Sequence, residues 1–178
     1  MVEELIRMLD VPNELLVIVM AALPVIELRG AIPAGIGLFH LEWYVVFVLA
    51  IVGNLLPVPF LLLFFQTIAN YIRRGRVGAK LIGLIVRHAE HHTVTIEKYK
   101  GVGLMIFVAI PLPWTGAWTG AIVASLLGMT FKRSFFSIMA GVIISGVIVT
   151  TLVLSGWVGV GIVGLGLMAL AIMSLRKM

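Results

Sequence analysis

Two oppositely charged residues, Glu27 and Arg29, lie inside an apolar stretch at 15–39 that holds no other charge. A charged side chain at the centre of a membrane helix costs about 2.5–3.5 kcal/mol on insertion scales. Charges that persist there usually mark a substrate pathway or a proton relay. Arginine keeps its positive charge and presents a fork that fits phosphate or carboxylate, whereas a buried glutamate can take up and release a proton. The pair therefore predicts anion recognition at Arg29 coupled to protonation of Glu27.

A structural role for the same two residues is the alternative, with a mutual salt bridge that fixes this part of the chain. Their i, i+2 spacing places them on different faces of a regular helix, so a helical ion pair would be poor. A non-helical turn beside Gly30 would still allow the contact. We favour the functional interpretation because intramembrane charge is costly without a role.

A second candidate segment is a four-residue repeat, Trp-Thr-Gly-Ala, at 114–117 and again at 118–121. It follows a proline, so the helix that starts there has free backbone N–H groups, which attract anions. Threonine hydroxyls one turn apart add hydrogen-bond donors, although small residues and tryptophans also serve plain helix packing. The polar amide of Asn54 predicts either a third cavity wall or a packing bond. The predicted substrate-binding residues are Arg29, Asn54, Trp114, Thr115, Gly116 and Thr119, with Glu27 as the proton carrier.

The composition excludes most soluble functions. Hydrophobic residues make up 61% of the 178 residues, charged residues 12%, and the mean hydropathy is +1.17. Soluble domains have about 45–50% apolar and about 25% charged residues, so a helical membrane protein is predicted. With no cysteine and no nucleophile–base constellation, the sequence predicts neither an enzyme nor a cofactor. For the histidines His88, His91 and His92, we favour a titrating surface patch over a metal site. No metal and no nucleic acid is therefore expected.

Proline clusters divide two of the five long apolar stretches. Because proline removes a backbone donor and clashes with the preceding turn, Pro24, Pro33, Pro111 and Pro113 are predicted to break their helices. Each broken stretch then forms either a kinked span or a re-entrant hairpin of two half-helices of about 10–12 residues. The predicted single membrane domain comprises an amphipathic helix at 1–14, hairpin 1 at 15–39, a span at 43–72, a basic cytoplasmic segment at 73–101, hairpin 2 at 102–129, and spans at 134–155 and 156–175.

Positive charge favours the hairpins. If all five stretches cross, eight Lys/Arg residues lie inside and four outside; with two hairpins, eleven lie inside and only Arg7 outside. Cytoplasmic loops are enriched in Lys and Arg, which predicts a multi-pass cell-membrane protein with its N-terminus outside and its C-terminus cytoplasmic. The predicted fold is an all-α polytopic inverted repeat, with two opposed re-entrant hairpins and about three spanning helices, the plan of many secondary transporters. The glycine-rich final helices predict scaffold packing or the face of a homo-oligomer.

The segments Glu-Leu-Arg-Gly-Ala-Ile-Pro at 27–33 and Pro-Leu-Pro-Trp-Thr-Gly-Ala-Trp at 111–118 resemble the small multidrug export protein family over nearly the whole chain. That family is similar to the DedA/VTT superfamily of re-entrant-loop membrane proteins. The resemblance implies two opposed hairpins, with Glu27 and Arg29 at the acidic and basic positions of the first and 111–119 at the tip of the second. It also implies translocation of polyprenyl-phosphate lipids and proton-dependent transport. The sequence predicts one departure from typical DedA proteins, the lack of a full spanning helix before hairpin 1.

These observations predict a transporter or flippase, coupled to protons, for an amphipathic anion such as a lipid-linked phosphate. Its partners would be the lipid bilayer, an anionic lipid or small amphipathic substrate, and protons. Export of hydrophobic cationic drugs is the second hypothesis, with Glu27 facing the cation, and Arg29 argues against it by charge repulsion. A non-transporting membrane scaffold is the third.

Overall fold

The computed structural model describes residues 11–74, 93–112 and 115–156, and this part of the chain forms helices without any strand. The predicted N-terminal helix at 1–14, most of the basic segment at 73–101 with its histidines, and the predicted span at 156–175 lie wholly or largely outside the described residues. The described helices are α1 (Asn13–Ala22), α2 (Glu27–Gly37), α3 (Trp43–Leu55), α4 (Val58–Arg74), α5 (Thr93–Ala109), α6 (Ala117–Leu126) and α7 (Phe131–Leu154).

Within the described residues, two apolar segments are long enough to cross a membrane, Trp43–Ile68 with 26 residues and Phe131–Leu154 with 24. At 1.5 Å per residue each exceeds the roughly 30 Å of a hydrocarbon core. The first corresponds to the predicted span at 43–72 and is interrupted between α3 and α4. Pro57 and Pro59 cause this interruption, since they offer no N–H to the carbonyls of Gly53 and Leu55 four residues earlier.

The predicted helix breaks are confirmed at Pro24, between α1 and α2, and at Pro111, between α5 and α6. Helices α1, α2 and α6 have 10, 11 and 10 residues, so each is only about 15–17 Å long. The prediction for Pro33 was wrong, because this residue lies inside α2. Pro33 is exposed, whereas Ala31, Ile32, Ala34 and Gly35 beside it are buried, so packing of the rest of the helix holds it together. Pro113 lies outside the described residues.

The two broken segments are interleaved through the long helices. Helix α1 packs along α3 and α5 along α7, while α2 also contacts α7 and α6 contacts α4. Each helix that follows a break thus packs against a long helix from the other half of the chain. The re-entrant path of the hairpins and their opposed orientation in the membrane stay predictions.

Glycines allow the closest helix contacts. A β-carbon at Gly53 in α3 would collide with the backbone carbonyl of Ile18 in α1, so the absence of a side chain lets these two helices approach. A β-carbon at Gly141 would lie 2.7 Å from the carbonyl oxygen of Met105, which joins α7 to α5. Small residues that let helix backbones approach are typical of membrane helix packing.

Large apolar side chains cover the outer surface of the described helices. Phe60 is 71% exposed, Phe136 60% and Leu63 57%. A water-exposed surface of this kind would be an aggregation hazard, whereas it matches the hydrocarbon of a bilayer. The outer surface therefore agrees with the membrane location that the composition predicts.

Candidate substrate site between the helix breaks

The carboxyl group of Glu27 lies at the point where the two breaks meet. Glu27 begins α2 with a φ of 50°, a left-handed conformation that non-glycine residues seldom adopt, and its side chain is 6% exposed. The carboxylate accepts a hydrogen bond from the backbone N–H of Trp118, in the first turn of α6. Free N–H groups in the first turn of a helix usually bond to a side chain from the residue that caps it. Here the cap is Gly116, which has no side chain, and Glu27 supplies the acceptor from another helix.

Glycine at 116 leaves the space that this carboxylate occupies. A β-carbon there would overlap both carboxylate oxygens of Glu27. Because the overlap involves the charged end of a buried side chain, any larger residue would have to expel the carboxylate from the start of α6.

Arg29 joins the first break to the second. Its Nη1 donates to the carbonyl oxygen of Leu112, and its Nη2 donates to the carbonyl oxygen of Ile110 at 3.3 Å and to the hydroxyl oxygen of Thr115 at 3.1 Å. All three acceptors are neutral. The Nε atom is buried and has no hydrogen-bond partner among the described residues.

The Thr115 hydroxyl organises the chain around that arginine. It accepts from Arg29 and from the backbone N–H of Leu112 at 3.3 Å, and it lies 2.7 Å from the carbonyl oxygen of Ile110 and 2.8 Å from that of Leu112. Since a hydroxyl has one proton, it donates to one of these two carbonyls at a time. Thr115 thereby holds the non-helical segment in the turn that presents its carbonyls to Arg29.

We call the region where the two helix breaks meet the junction, and two further hydrogen bonds complete it. The indole N–H of Trp118 donates to the carbonyl oxygen of Ala22, at the end of α1, at 3.1 Å. The hydroxyl of Thr119 donates to the carbonyl oxygen of Gly116 at 3.1 Å. The first of these bonds crosses between the two broken segments, whereas the second stays within one.

A cavity of about 450 Å³ lies at this junction. Its wall contains the carboxyl group of Glu27 and the guanidinium of Arg29 in otherwise largely apolar surroundings. A volume of this size falls within the range of small-molecule sites, which are apolar with a few converging polar groups. The lining residues are Pro24, Val25, Ile26, Glu27, Arg29, Pro111, Leu112, Gly116, Trp118 and Thr119.

The structure brings together most, though not all, of the predicted site residues. Glu27, Arg29, Gly116 and Thr119 line the cavity, and Thr115 bonds to Arg29. Asn54 is fully buried in α3, does not line the cavity, and has no hydrogen-bond partner for its amide among the described residues. Trp114 lies outside the described residues. The hydrogen bonds of Arg29 go to the second break, so the structure shows a different arrangement from a mutual Glu27–Arg29 salt bridge.

Several groups of the junction were not predicted from the sequence. The backbone carbonyls of Ala22, Ile110 and Leu112 carry no sequence signal of their own. Trp118 was recognised only as part of the repeat. A tryptophan inside an apolar segment needs an acceptor for its indole N–H, which is the signal that points to it.

The sequence model of the family described as "Putative small multi-drug export protein" matches residues 27–148. The chain belongs to this family. The match begins at Glu27, directly after the first break, and includes the second break and most of α7, so it contains Glu27, Arg29 and the groups of the second break that bond to them. The family description indicates a membrane export protein, in agreement with the apolar helices. No curated protein and no solved structure matches the chain. The similarity to the DedA/VTT superfamily stays a prediction.

Proposed function

We propose that this small multi-drug export family member is a proton-coupled transporter or flippase of the cell membrane. Its substrate would be an amphipathic anion such as a lipid-linked phosphate, whose head group binds in the junction cavity. The observation that carries the proposal is the bonding of Arg29, a cation at the cavity wall whose hydrogen bonds go to neutral acceptors.

An anionic head group can compete for this arginine. Hydrogen bonds between an arginine and a phosphate or carboxylate are shorter and roughly twice as strong as those between neutral groups, and they are often bidentate. A phosphate in the cavity would therefore draw the guanidinium away from the carbonyls of Ile110 and Leu112. Because those carbonyls belong to the second break, substrate binding would loosen the contact between the two broken segments.

Glu27 provides a route for protons to act on the same contact. In its ionised form the carboxylate is a charged acceptor for the Trp118 N–H and lies favourably at the positive end of the α6 dipole. Protonation removes that charge and weakens the bond. Proton uptake at Glu27 and anion binding at Arg29 would then both release the junction, and this shared effect is the proposed coupling.

Alternating access follows if the hairpins are re-entrant and opposed. Transporters built as inverted repeats hold the substrate between their halves and rock one half against the other. The pairing of α2 with α7 and of α6 with α4 is compatible with such a movement. The proposed orientation has the N-terminus outside.

Export of hydrophobic cations is the second candidate, favoured by the family description and by the carboxyl group of Glu27 in a mostly apolar cavity. Arg29 in the same wall would repel a cation, which is why we place the anion first. In this alternative, replacement of Arg29 should leave transport intact or increase it.

Liposomes that contain the purified protein test the proposal with two cargoes, labelled polyprenyl phosphate and a cationic dye, each with and without a pH gradient. We expect the wild type to move the lipid and to respond to the gradient. Glu27→Gln should lose the response to the gradient, and Arg29→Ala should lose lipid transport. Lys132→Gln, which removes a cation outside the cavity, is the matched control. Transport of the dye alone, unaffected by Arg29→Ala, would favour the cation exporter, and no transport of either cargo would favour a scaffold.

A further inference from the structure

A second concave surface lies between α5 and α6, apart from the junction cavity. This groove has a volume of about 390 Å³, its surface is almost entirely apolar, and it is open on one side. The residues that matter here are Tyr99, Lys100, Gly103, Phe107 and Leu127. Between Lys100 and Phe107 the groove follows α5 for about 10 Å, at 1.5 Å per residue.

Positive charge is concentrated at one end of the groove. The Nζ atom of Lys100 lies 3.5 Å from the carbonyl oxygen of Leu127, just after α6. The Nε atom of Arg133, at the start of α7, lies 3.2 Å from the position that a β-carbon would take at Gly101. Lys100 thus supplies a cation in the groove wall, beside the half-exposed ring of Tyr99, and Arg133 supplies a second cation at the same level of α5, against the next residue.

This arrangement matches the chemistry of an anionic phospholipid. Lysine and arginine with an adjacent tyrosine are typical of the level of lipid head groups, and basic pockets between membrane helices bind anionic head groups. The apolar part of the groove, which continues along α5 from these residues, matches an acyl chain. We propose that the groove binds an anionic phospholipid, with its phosphate near Lys100 and Arg133 and one acyl chain along Gly103 and Phe107.

The glycine at 103 allows the acyl-chain part of the site to be tested alone. A β-carbon there would meet nothing within 4 Å, so the side chain that Gly103→Leu adds starts in the open space of the groove. Gly37 at the end of α2 has the same open surroundings, which makes Gly37→Leu the matched control. For the head-group part, Lys100→Gln removes the cation, and Lys132→Gln removes an exposed cation that does not line the groove.

Native mass spectrometry of the purified full chain measures the result with phosphatidylglycerol and phosphatidylcholine of identical acyl chains. We expect the wild type to retain phosphatidylglycerol preferentially. Each basic residue near a head group contributes about 1 kcal/mol, which corresponds to about a fivefold change in affinity. Lys100→Gln should therefore lower phosphatidylglycerol retention about fivefold and leave phosphatidylcholine unchanged, whereas Gly103→Leu should lower retention of both.

Three outcomes would overturn the proposal: equal retention of the two lipids by the wild type, an equal loss in Lys132→Gln and Lys100→Gln, or unchanged retention in Gly103→Leu. The thermal unfolding temperature of each variant identifies a folding defect. Lys100→Arg keeps the charge, so this variant should retain phosphatidylglycerol as the wild type does. Lipid retention is measured without transport, so failure here leaves the proposed role of Arg29 standing, and the reverse also holds.

Discussion

The carboxylate of Glu27 occupies the space that a β-carbon would take at Gly116. One residue begins the helix after the first break, and the other caps the helix after the second. Glycine at 116 is therefore the complement of glutamate at 27. Together with the bonds from Arg29 to Leu112 and Thr115, this contact makes the two breaks a single polar junction.

Replacement of Gly116 by alanine should expel the Glu27 carboxylate. Loss of a helix cap costs about 0.5–2 kcal/mol, and we expect Gly116→Ala to lower the free energy of unfolding by at least this amount. Glu27→Ala should have a similar effect, and the double variant should cost clearly less than the sum, because both changes remove the same contact. Thermal unfolding in detergent measures all three. Gly103→Ala, at an open helical position, should be neutral or slightly stabilising, and additive effects of the two junction changes would show that they are independent.

Thr115 and Thr119 provide a matched pair four residues apart, one before the start of α6 and one inside it. Thr115→Val removes the acceptor for Arg29, a charged-group hydrogen bond with a net value of about 1.5–3 kcal/mol. Thr119→Val removes only a bond to the carbonyl of Gly116, with a value of about 0.5–1.5 kcal/mol. The unfolding free energy should therefore fall more in Thr115→Val. Equal losses would mean that the bond between Thr115 and Arg29 adds nothing.

The indole of Trp118 should contribute through its N–H as well as its bulk. Trp118→Phe keeps most of the apolar contact and leaves the carbonyl of Ala22 without its donor, so we expect a loss of about 1 kcal/mol. Trp43→Phe is the control, since Trp43 is 48% exposed and packs edge-on against Tyr44. A Trp118→Phe variant as stable as the control variant would contradict the proposed bridge between the two segments.

The orientation of the second broken segment can be tested with single cysteines, because the chain contains none of its own. If the hairpins are re-entrant, Thr130 lies in the cytoplasm, and if every apolar stretch crosses, it lies outside. Thr130→Cys in intact cells should resist a membrane-impermeant maleimide, while Glu42→Cys, which lies outside in both arrangements, should react. Rapid labelling of Thr130→Cys before cell lysis would favour five crossings.

The sequence was sufficient for the main helical breaks and for the two central charges. A proline that removes a donor inside an apolar stretch is a local property, so the breaks at Pro24 and Pro111 were predictable from the chain alone. Pro33 failed the same rule because its tolerance depends on which face of α2 is packed, and that is decided by distant helices.

The partners of the two charges required the structure. Arg29 bonds to residues more than 80 positions away through backbone carbonyls, which every residue possesses and no side-chain pattern reveals. For Asn54 the sequence left two roles open, and the structure buries it near the end of α3, outside the cavity lining. The cap at Gly116 shows the same limit, since a missing side chain gives no sign of which residue replaces it.

Protection of a cysteine at position 25 tests the central proposal, an anion site at Arg29, most directly. Val25 lines the junction cavity and is 91% exposed, so Val25→Cys would present a single thiol there. Polyprenyl phosphate should slow maleimide labelling of this thiol in the Val25→Cys variant, which keeps Arg29. It should have no effect on labelling in the double variant that also carries Arg29→Ala. Leu38→Cys, exposed outside the cavity, should react at the same rate throughout. Labelling of Val25→Cys that polyprenyl phosphate does not slow, or slows equally without Arg29, would contradict the account.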